Sequence, residues 1–136
     1  MIELSKLGER FENAAGWIQN LAERPVGGVA VLFCKAGSSR SHHWHKTDSH
    51  ELYVVSGEMR YVERRAELLT ADGPIGPTRQ TTIRAGEMVR TGPRIPHSSY
   101  FPVDTVLISL SAHARTKAEH EADLVRCEPL PWIEGE

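Results

Sequence analysis

The sequence has few of the features that mark membrane proteins or disulfide-rich secreted proteins. It holds only two cysteines, Cys34 and Cys127, in 136 residues, too few for a disulfide framework. No segment approaches the roughly 20 apolar residues that a membrane span requires. The first residues lack the basic and apolar regions of a secretory signal. We therefore expect reduced cysteines, no membrane partner and a cytoplasmic location.

A strong charge of one sign is also missing. The 16 Lys and Arg residues oppose 18 Asp and Glu residues, and the cations form no dense block. Because phosphate neutralisation needs several clustered cations, we expect no nucleic-acid partner. The length and the ordinary composition suit one globular domain. We predict a single domain over residues 1–136, with a core at about 26–112 and a C-terminal extension at 113–136.

Short apolar stretches separated by Gly and Pro turns recur along the chain. They are rich in β-branched and aromatic residues and too short for typical helices, so they predict strands. Many short strands with such turns favour a sandwich or barrel, and the predicted fold class is all-β. The predicted strands lie within residues 16–21, 29–34, 52–55, 59–62, 81–84 and 103–110.

Two flanking segments are predicted to be helical, residues 4–13 and residues 116–122, the second because it contains strong helix formers. An extended piece is expected at 123–127, before prolines end regular structure. Residues 67–80 form the longest irregular stretch, and we interpret them as a surface loop.

Histidines are crowded into one part of the chain. Four of the seven, His42, His43, His45 and His50, lie within nine residues. Side chains alternate along a strand, so His43 and His45 project to one side, and His42 and Trp44 to the other. Two imidazoles so placed can bind one metal ion, although a His-x-His pair alone is weak evidence.

The glycines around this pair extend the pattern. Five residues separate Gly37 from His43, four separate His45 from His50, and six separate His50 from Gly57. This arrangement resembles the first motif of the cupin superfamily. The resemblance implies a double-stranded β-helix, also described as a jelly-roll barrel, with three metal ligands on this motif.

A second segment completes the resemblance. Ten residues separate Gly86 from His97, which is the spacing of the second cupin motif and its fourth ligand. The likeness covers about 60 residues, from Gly37 to His97. The chain departs from the usual second motif at Gly92, Arg94 and Phe101.

The family pattern has Glu at the position where this chain has His50, with Glu51 directly after it. Only His50 satisfies both gaps, and a one-residue slip would turn the other face of the strand toward the metal. Some small cupins use four histidines. The resemblance therefore implies metal ligation by His43, His45, His50 and His97, with Glu51 as the alternative to His50.

The cofactor implied is one divalent transition metal. Imidazole suits Zn, Cu, Fe and Ni better than Mn, but the sequence leaves all five open. Four neutral ligands leave the +2 charge uncompensated, which favours an anionic ligand at the open positions. We expect a metal-dependent cupin enzyme for a small oxygenated or anionic substrate, acting by dioxygen activation or by metal-stabilised enolisation.

A narrower resemblance supports a second hypothesis. Arg40, His43, His45 and Lys46 match a short run in the nucleotide-sugar 3,4-ketoisomerases, cupin-like enzymes that work without a metal, and the wider context resembles small cupins of polysaccharide biosynthesis. The resemblance implies a metal-independent isomerase or epimerase. In it, His43 or His45 removes the proton beside the carbonyl, and Arg40 lies near the phosphates.

The histidines at the other two ligand positions favour the metal hypothesis, because a metal-free isomerase has no need of His50 and His97. Two further hypotheses remain open. One is a non-catalytic module that binds a metal or a sugar, and the other is a metal that only braces the barrel. The family resemblance also suggests a homodimer built through edge strands.

Three residues near the motifs are candidates for substrate binding at the mouth of the site: Arg60, Arg90 and Tyr100. We expect His42, His113 and His120 at the surface rather than among the ligands. Trp17 and Trp44 are expected to pack or to contact a second subunit.

Overall fold

A computed structural model describes residues 2–135, which form thirteen strands and one short helix. No helix in this range is long and apolar enough to cross a membrane. The elements are β1 (Phe11–Asn13), β2 (Gly16–Ile18), β3 (Gly28–Cys34), β4 (Ser39–His45), β5 (His50–Ser56), β6 (Glu58–Arg64), β7 (Leu68–Thr70), β8 (Gly73–Ile75), β9 (Thr78–Arg84), β10 (Met88–Thr91), β11 (His97–Tyr100), β12 (Thr105–Ser111), α1 (Lys117–Asp123) and β13 (Leu124–Arg126).

Most strands belong to two antiparallel sheets. One sheet has the order β10-β5-β12-β3, and the other has the order β13-β4-β11-β6-β9. The main apolar cluster takes Val54 and Leu107 from the first sheet and Met59, Tyr61 and Ile83 from the second. Because one cluster draws on both sheets, the core lies between them, as in a jelly roll. The all-β prediction is confirmed.

Strand β5 shows why the local sequence suits its place. It pairs with β10 on one side and β12 on the other. Its first five residues, His50 to Val54, are all buried. A strand that is covered on both faces usually has a continuous apolar sequence, and Leu-Tyr-Val-Val after Glu51 is such a sequence. This strand carries one histidine of the cluster at its first position.

All six predicted strand regions contain strands. The agreement is closest for β3, which begins one residue earlier than predicted, and for β5 and β6, which are longer at both ends. The region 103–110 begins too early, since β12 starts at Thr105, and only Gly16–Ile18 of the region 16–21 is a strand.

The helix predicted for residues 4–13 is wrong. Ser5 donates its backbone N–H to the carbonyl of Met88, and Phe11–Asn13 forms a hairpin with Gly16–Ile18. The side chain of Asn13 accepts the N–H of Ala15, and Gly16 has φ 131°. This turn stabilises the hairpin, because Asn hydrogen-bonds its own turn and Gly adopts positive φ without strain.

The loop predicted for residues 67–80 is also partly wrong. It contains the hairpin β7–β8 and the first residues of β9. Gly73, at φ 113°, begins β8 directly after the two-residue turn. The helix predicted for 116–122 is confirmed with a shift of one residue, and Thr116 caps it by accepting the N–H of Glu119. The extended piece predicted after it is confirmed as β13, which pairs with β4.

We predict that Gly57→Ala destabilises the protein more than Gly37→Ala. Both glycines have positive φ, 93° and 84°. A β-carbon at Gly57 would lie 2.4 Å from Oγ1 of Thr105, whereas nothing lies within 4 Å at Gly37. Backbone strain alone costs about 1–3 kcal/mol at either site. Urea unfolding should therefore show a larger loss for the Gly57 variant, and equal losses would contradict the clash.

Candidate functional site

Four histidines meet between the two sheets. His43 and His45 lie on β4, His50 begins β5, and His97 begins β11. The antiparallel register of β11 with β4 sets His97 opposite His43. Ring centroids are 4.8 Å apart for His43 and His97, 4.9 Å for His43 and His45, and 5.0 Å for His50 and His97. The structure thus brings together the four residues that the motifs single out.

The alternation expected along β4 places the neighbours of this cluster on the other side. His42 is half-buried, and its ring nitrogens contact Oγ of Ser98 at 2.8 Å and Oγ of Ser39 at 3.0 Å. It is therefore held by hydrogen bonds rather than only solvated. A β-carbon added at Gly73 would lie 3.7 Å from the ring of Trp44, so this ring packs on the β7–β8 hairpin.

Burial keeps the clustered imidazoles neutral. Desolvation, followed by the neighbouring histidines His97 and His45, lowers the pKa of His43 to about 2. Desolvation also lowers the pKa of His45 and of His97 to about 4, and that of His50 well below its ordinary value. A neutral imidazole is the form that binds a metal ion or accepts a proton.

Several ring nitrogens in the cluster have no hydrogen-bond partner. They are Nδ1 and Nε2 of His45 and the Nε2 atoms of His50 and His97. Nδ1 of His97 donates to the carbonyl of Ile95 at 2.9 Å, which leaves its Nε2 with a free lone pair. One nitrogen from each of His43, His45 and His97 lies within 4.8 Å of the others. These three residues fit a divalent metal ion.

An aspartate supports one of these rings. Oδ2 of Asp123 lies 3.5 Å from Nδ1 of His45, which is an electrostatic contact longer than a normal hydrogen bond. Asp123 also accepts the backbone N–H and the hydroxyl of Thr47 and the N–H of Asp48. Burial alone would raise the pKa of Asp123, but these hydrogen bonds lower it. The carboxylate is therefore ionised and fixed beside the ring.

His50 has a different partner. Nη2 of Arg115 lies 3.1 Å from Nδ1 of His50, and Nε of Arg115 donates to Asp48 at 3.0 Å. Asp48 is buried and also accepts the backbone N–H groups of Ser49 and His113. Sequence reasoning missed Arg115 and Asp123, which lie outside the two motifs, and Asp48, which lies within the first motif at a position that the motif does not specify.

Glu51 does not join the cluster. It follows His50 on β5 and so faces the other side of the sheet. There its carboxylate accepts a hydrogen bond from Arg24 and is buried. Its position gives no support to Glu51 as the alternative ligand.

A cavity of about 210 Å³ lies beside the histidines, and we name it the histidine cavity. An outer cavity of about 510 Å³ lies next to it. Arg115 and His120 line both. The histidine cavity is lined by Leu32, Arg40, Ser41, His43, His50, Leu52, Ser99, Phe101, Leu107, Ser109, Arg115 and His120, and the outer cavity by Thr47, Asp48, His113, Ala114, Arg115, Glu119, His120, Ala122 and Asp123.

The surface position expected for His120 needs correction. Its ring centroid is 5.5 Å from that of His45, and it lines the histidine cavity. Helix α1 carries it there because β13, directly after the helix, pairs with β4. His113 is exposed, as expected.

The three candidates for substrate binding lie elsewhere. Arg60 donates to Glu134 at 2.9 Å, and the hydroxyl of Tyr100 donates to the carbonyl of Leu130. Arg90 is exposed on β10. None of the three lines either cavity, so their positions do not support that role.

Of the other two residues in the ketoisomerase-like run, Arg40 lines a cavity and Lys46 does not. Arg40 lines the histidine cavity and donates to the carbonyl of Phe33 at 3.2 Å. Lys46 is exposed and donates to the carbonyl of Ala122 at 3.3 Å. Cys34 is buried next to Arg40, and both it and Cys127 are free thiols.

Comparison with known proteins gives matches among solved structures only. No protein-family model and no curated protein matches the chain. A dTDP-4-dehydrorhamnose 3,5-epimerase from Sulfolobus tokodaii is similar with a TM-score of 0.73 and 16% identity, over 98% of this chain and 87% of the other.

Two further solved structures are similar. A 3,4-ketoisomerase from Thermoanaerobacterium thermosaccharolyticum, in complex with TDP, has a TM-score of 0.71 and 15% identity, over 92% of this chain and 86% of its own. A 3'-monoepimerase from Streptomyces bikiniensis has a TM-score of 0.76 and 12% identity, over 95% of this chain and 73% of its own. The expected cupin jelly roll is confirmed, and these similar structures are of the sugar-isomerase class that the sequence resembles.

We predict that the metal-free protein loses stability as the pH falls below 6.5. Burial lowers the pKa of His97 from 6.5 to about 4, so the unfolded state binds the proton first. The contribution of His97 to the free energy of unfolding is fully present above 6.5, the pKa in the unfolded state. It falls by about 3 kcal/mol as the pH drops to the pKa of the folded state. Urea unfolding in chelator between pH 7 and pH 4 measures the loss.

The control for this prediction is His113→Gln, which changes an exposed histidine and should leave the pH dependence unchanged. His97→Gln should make the loss of stability smaller but not abolish it, because His43, His45 and His50 also have lowered pKa values. A wild-type stability that is constant between pH 7 and pH 5 would contradict the buried, neutral state of the cluster.

Proposed function

We propose that the protein is an isomerase or epimerase of a nucleotide-linked keto sugar. The similar solved structures include a dTDP-sugar epimerase and a sugar 3,4-ketoisomerase, which supports the class of reaction at the level of the fold. The observation that carries the proposal is the cluster of buried imidazole nitrogens without partners beside a cavity of about 210 Å³.

The reaction requires a base and a means of stabilising negative charge. A proton leaves the carbon next to the carbonyl, and the electrons move onto the carbonyl oxygen as an enolate. Return of the proton to the other face gives an epimer, and its return at the neighbouring carbon gives an isomer. His43 is half-buried and lines the histidine cavity, so it can reach a bound sugar.

The two cavities suit the two parts of such a substrate. The histidine cavity has room for one sugar ring, and the outer cavity, at about 510 Å³, is the larger space. Arg115 lines both cavities and presents a guanidinium group there. A guanidinium in this position suits a phosphate group that joins sugar and nucleotide.

We further propose that a divalent metal ion binds to His43, His45 and His97. A buried polar group without a partner costs about 1–3 kcal/mol, and one ion would satisfy a nitrogen of each ring. When bound, the metal would act as a Lewis acid toward the carbonyl oxygen. With His43 occupied in this way, His50 and His120 are the imidazoles that remain in the lining of the histidine cavity, and we assign the proton transfer to His120, which lines both cavities.

Dioxygen activation, the other reaction expected from the sequence, gains no support from the similar structures, which are epimerases and ketoisomerases. Proton transfer next to a carbonyl uses the same imidazoles and cavity. Our proposal therefore keeps the enolisation hypothesis and the isomerase hypothesis and leaves oxidation aside.

We predict that the protein catalyses hydrogen exchange next to the carbonyl of TDP-4-keto-6-deoxyglucose in D₂O. Proton NMR would follow the loss of the ring signals. Prior removal of metal with a chelator should stop the exchange, and added Zn²⁺, Mn²⁺, Fe²⁺ or Ni²⁺ should restore it. His120→Gln should lower the rate roughly 100-fold or more, the usual range for an acid–base residue.

The control is Glu12→Gln, which changes an exposed residue of β1 that lines neither cavity and should leave the rate unchanged. Hydrogen exchange that survives chelation and depends on His43 instead of His120 would contradict the proposed metal site and support a metal-independent isomerase. Absence of exchange with this substrate and with related 4-keto sugars would overturn the isomerase itself.

We also propose a homodimer through β3. This strand ends its sheet in the described part of the chain, and its outer row is exposed: Val29 by 64%, Val31 by 75% and Phe33 by 53%. Exposed apolar rows on edge strands favour pairing with another chain.

We predict that Val31→Lys makes the protein monomeric, because it places a charge in the middle of this row. Light scattering would report the mass. Val103→Lys is the control, since Val103 is similarly exposed, at 48%, but lies outside β3. A monomeric wild-type protein would contradict the homodimer.

A further inference from the structure

His50 and Arg115 form a contact that the cupin motifs do not anticipate. Arg115 comes from the segment after β12, and its guanidinium spans a buried carboxylate and a buried imidazole. Nε donates to Asp48 at 3.0 Å, and Nη2 lies 3.1 Å from Nδ1 of His50. Asp48 is 4% exposed and Arg115 27%. The ion pair with Asp48 therefore fixes the guanidinium against the ring.

This contact determines where the proton of His50 lies. A guanidinium offers N–H donors and no acceptor. Nδ1 of His50 must then be the acceptor, with its lone pair directed at Arg115. A neutral imidazole carries one proton, so that proton is on Nε2. Nε2 is buried and has no hydrogen-bond partner.

His97 shows the opposite arrangement. Its Nδ1 donates to the carbonyl of Ile95, so its proton is on Nδ1 and its Nε2 carries the lone pair. A metal ion needs a lone pair from each imidazole, and ligating histidines generally donate their other N–H to an oxygen. His97 meets this requirement, and His50 does not. The group with nitrogens within 4.8 Å of one another contains His43, His45 and His97 only.

We propose that His50 is not the fourth metal ligand but a hydrogen-bond donor, held by Arg115, whose Nε2–H binds the carbonyl or enolate oxygen of the substrate. The inference deepens the proposed function and rests on it for the identity of that oxygen. His50 lines the histidine cavity, as the role requires. A buried N–H directed at an oxygen that gains negative charge stabilises the transition state more than the ground state.

The first test determines the tautomer without any metal. Long-range ¹H–¹⁵N correlation spectra of metal-free protein distinguish a proton on Nδ1 from one on Nε2. We expect His50 to be protonated on Nε2 and His97 on Nδ1. Arg115→Met should shift His50 toward a mixture of tautomers, whereas Arg126→Met, at an exposed ion pair with Glu121, should not. A wild-type His50 protonated on Nδ1 would overturn the inference.

The second test compares metal affinity. Metal-free wild type, His50→Gln and His97→Gln would be titrated with Zn²⁺ by calorimetry. We expect His50→Gln to keep one equivalent of zinc with a Kd within about 10-fold of wild type, and His97→Gln to lose at least about 100-fold, since it removes a ligand. Equal losses would make His50 a ligand and overturn the inference.

The two tests separate this inference from the metal proposal. If wild type binds no Zn²⁺, the metal part of the proposed function fails, and the tautomer of His50 still decides between donor and acceptor. If wild type binds Zn²⁺ and His50→Gln binds it as tightly, the three-histidine site stands, and a proton on Nε2 of His50 in the first test is what the donor role further requires. Near-UV circular dichroism of each variant checks that the fold is kept.

Discussion

The pairing of β4 with β11 sets His43 opposite His97, and this register places several imidazoles in one desolvated space. Burial disfavours the charged form of each ring, so the cluster stays neutral at physiological pH. A neutral ring has one donor and one acceptor, and each needs a partner in a space without bulk water. Ile95, Arg115 and Asp123 supply part of that requirement. The nitrogens that remain define what the site can bind.

The histidine-rich segment could be predicted from the sequence because its information is local. Alternation along a strand puts His43 and His45 on one face, and Gly57 and Gly86 mark the turns between β5 and β6 and between β9 and β10. The strands of the core were predictable for the same reason, since β5 is a continuous apolar run. These features depend on neighbours within a few residues.

Other parts of the site depend on contacts between distant segments, and local patterns do not encode them. Arg115 meets Asp48 across 67 positions, and His120 reaches His45 only because β13 pairs with β4. The helix predicted over residues 4–13 failed because a single Asn-to-Gly turn and a backbone bond to Met88 outweighed weak helix propensity. Arg60 and Tyr100 were expected near the site from their position in the chain, but both side chains contact the C-terminal segment instead.

Helix α1 buries none of its side chains, although it holds a residue that lines both cavities. Within the described residues, the short pairing of β13 with β4, hydrogen bonds to residues 46–48 and the bond from the N–H of Cys127 to the carbonyl of His42 attach this part of the chain to the sheet. Its opening costs little free energy compared with separation of the core strands. Loosening of this segment would therefore alter the wall that the two cavities share at His120, while the histidines on the core strands keep their places.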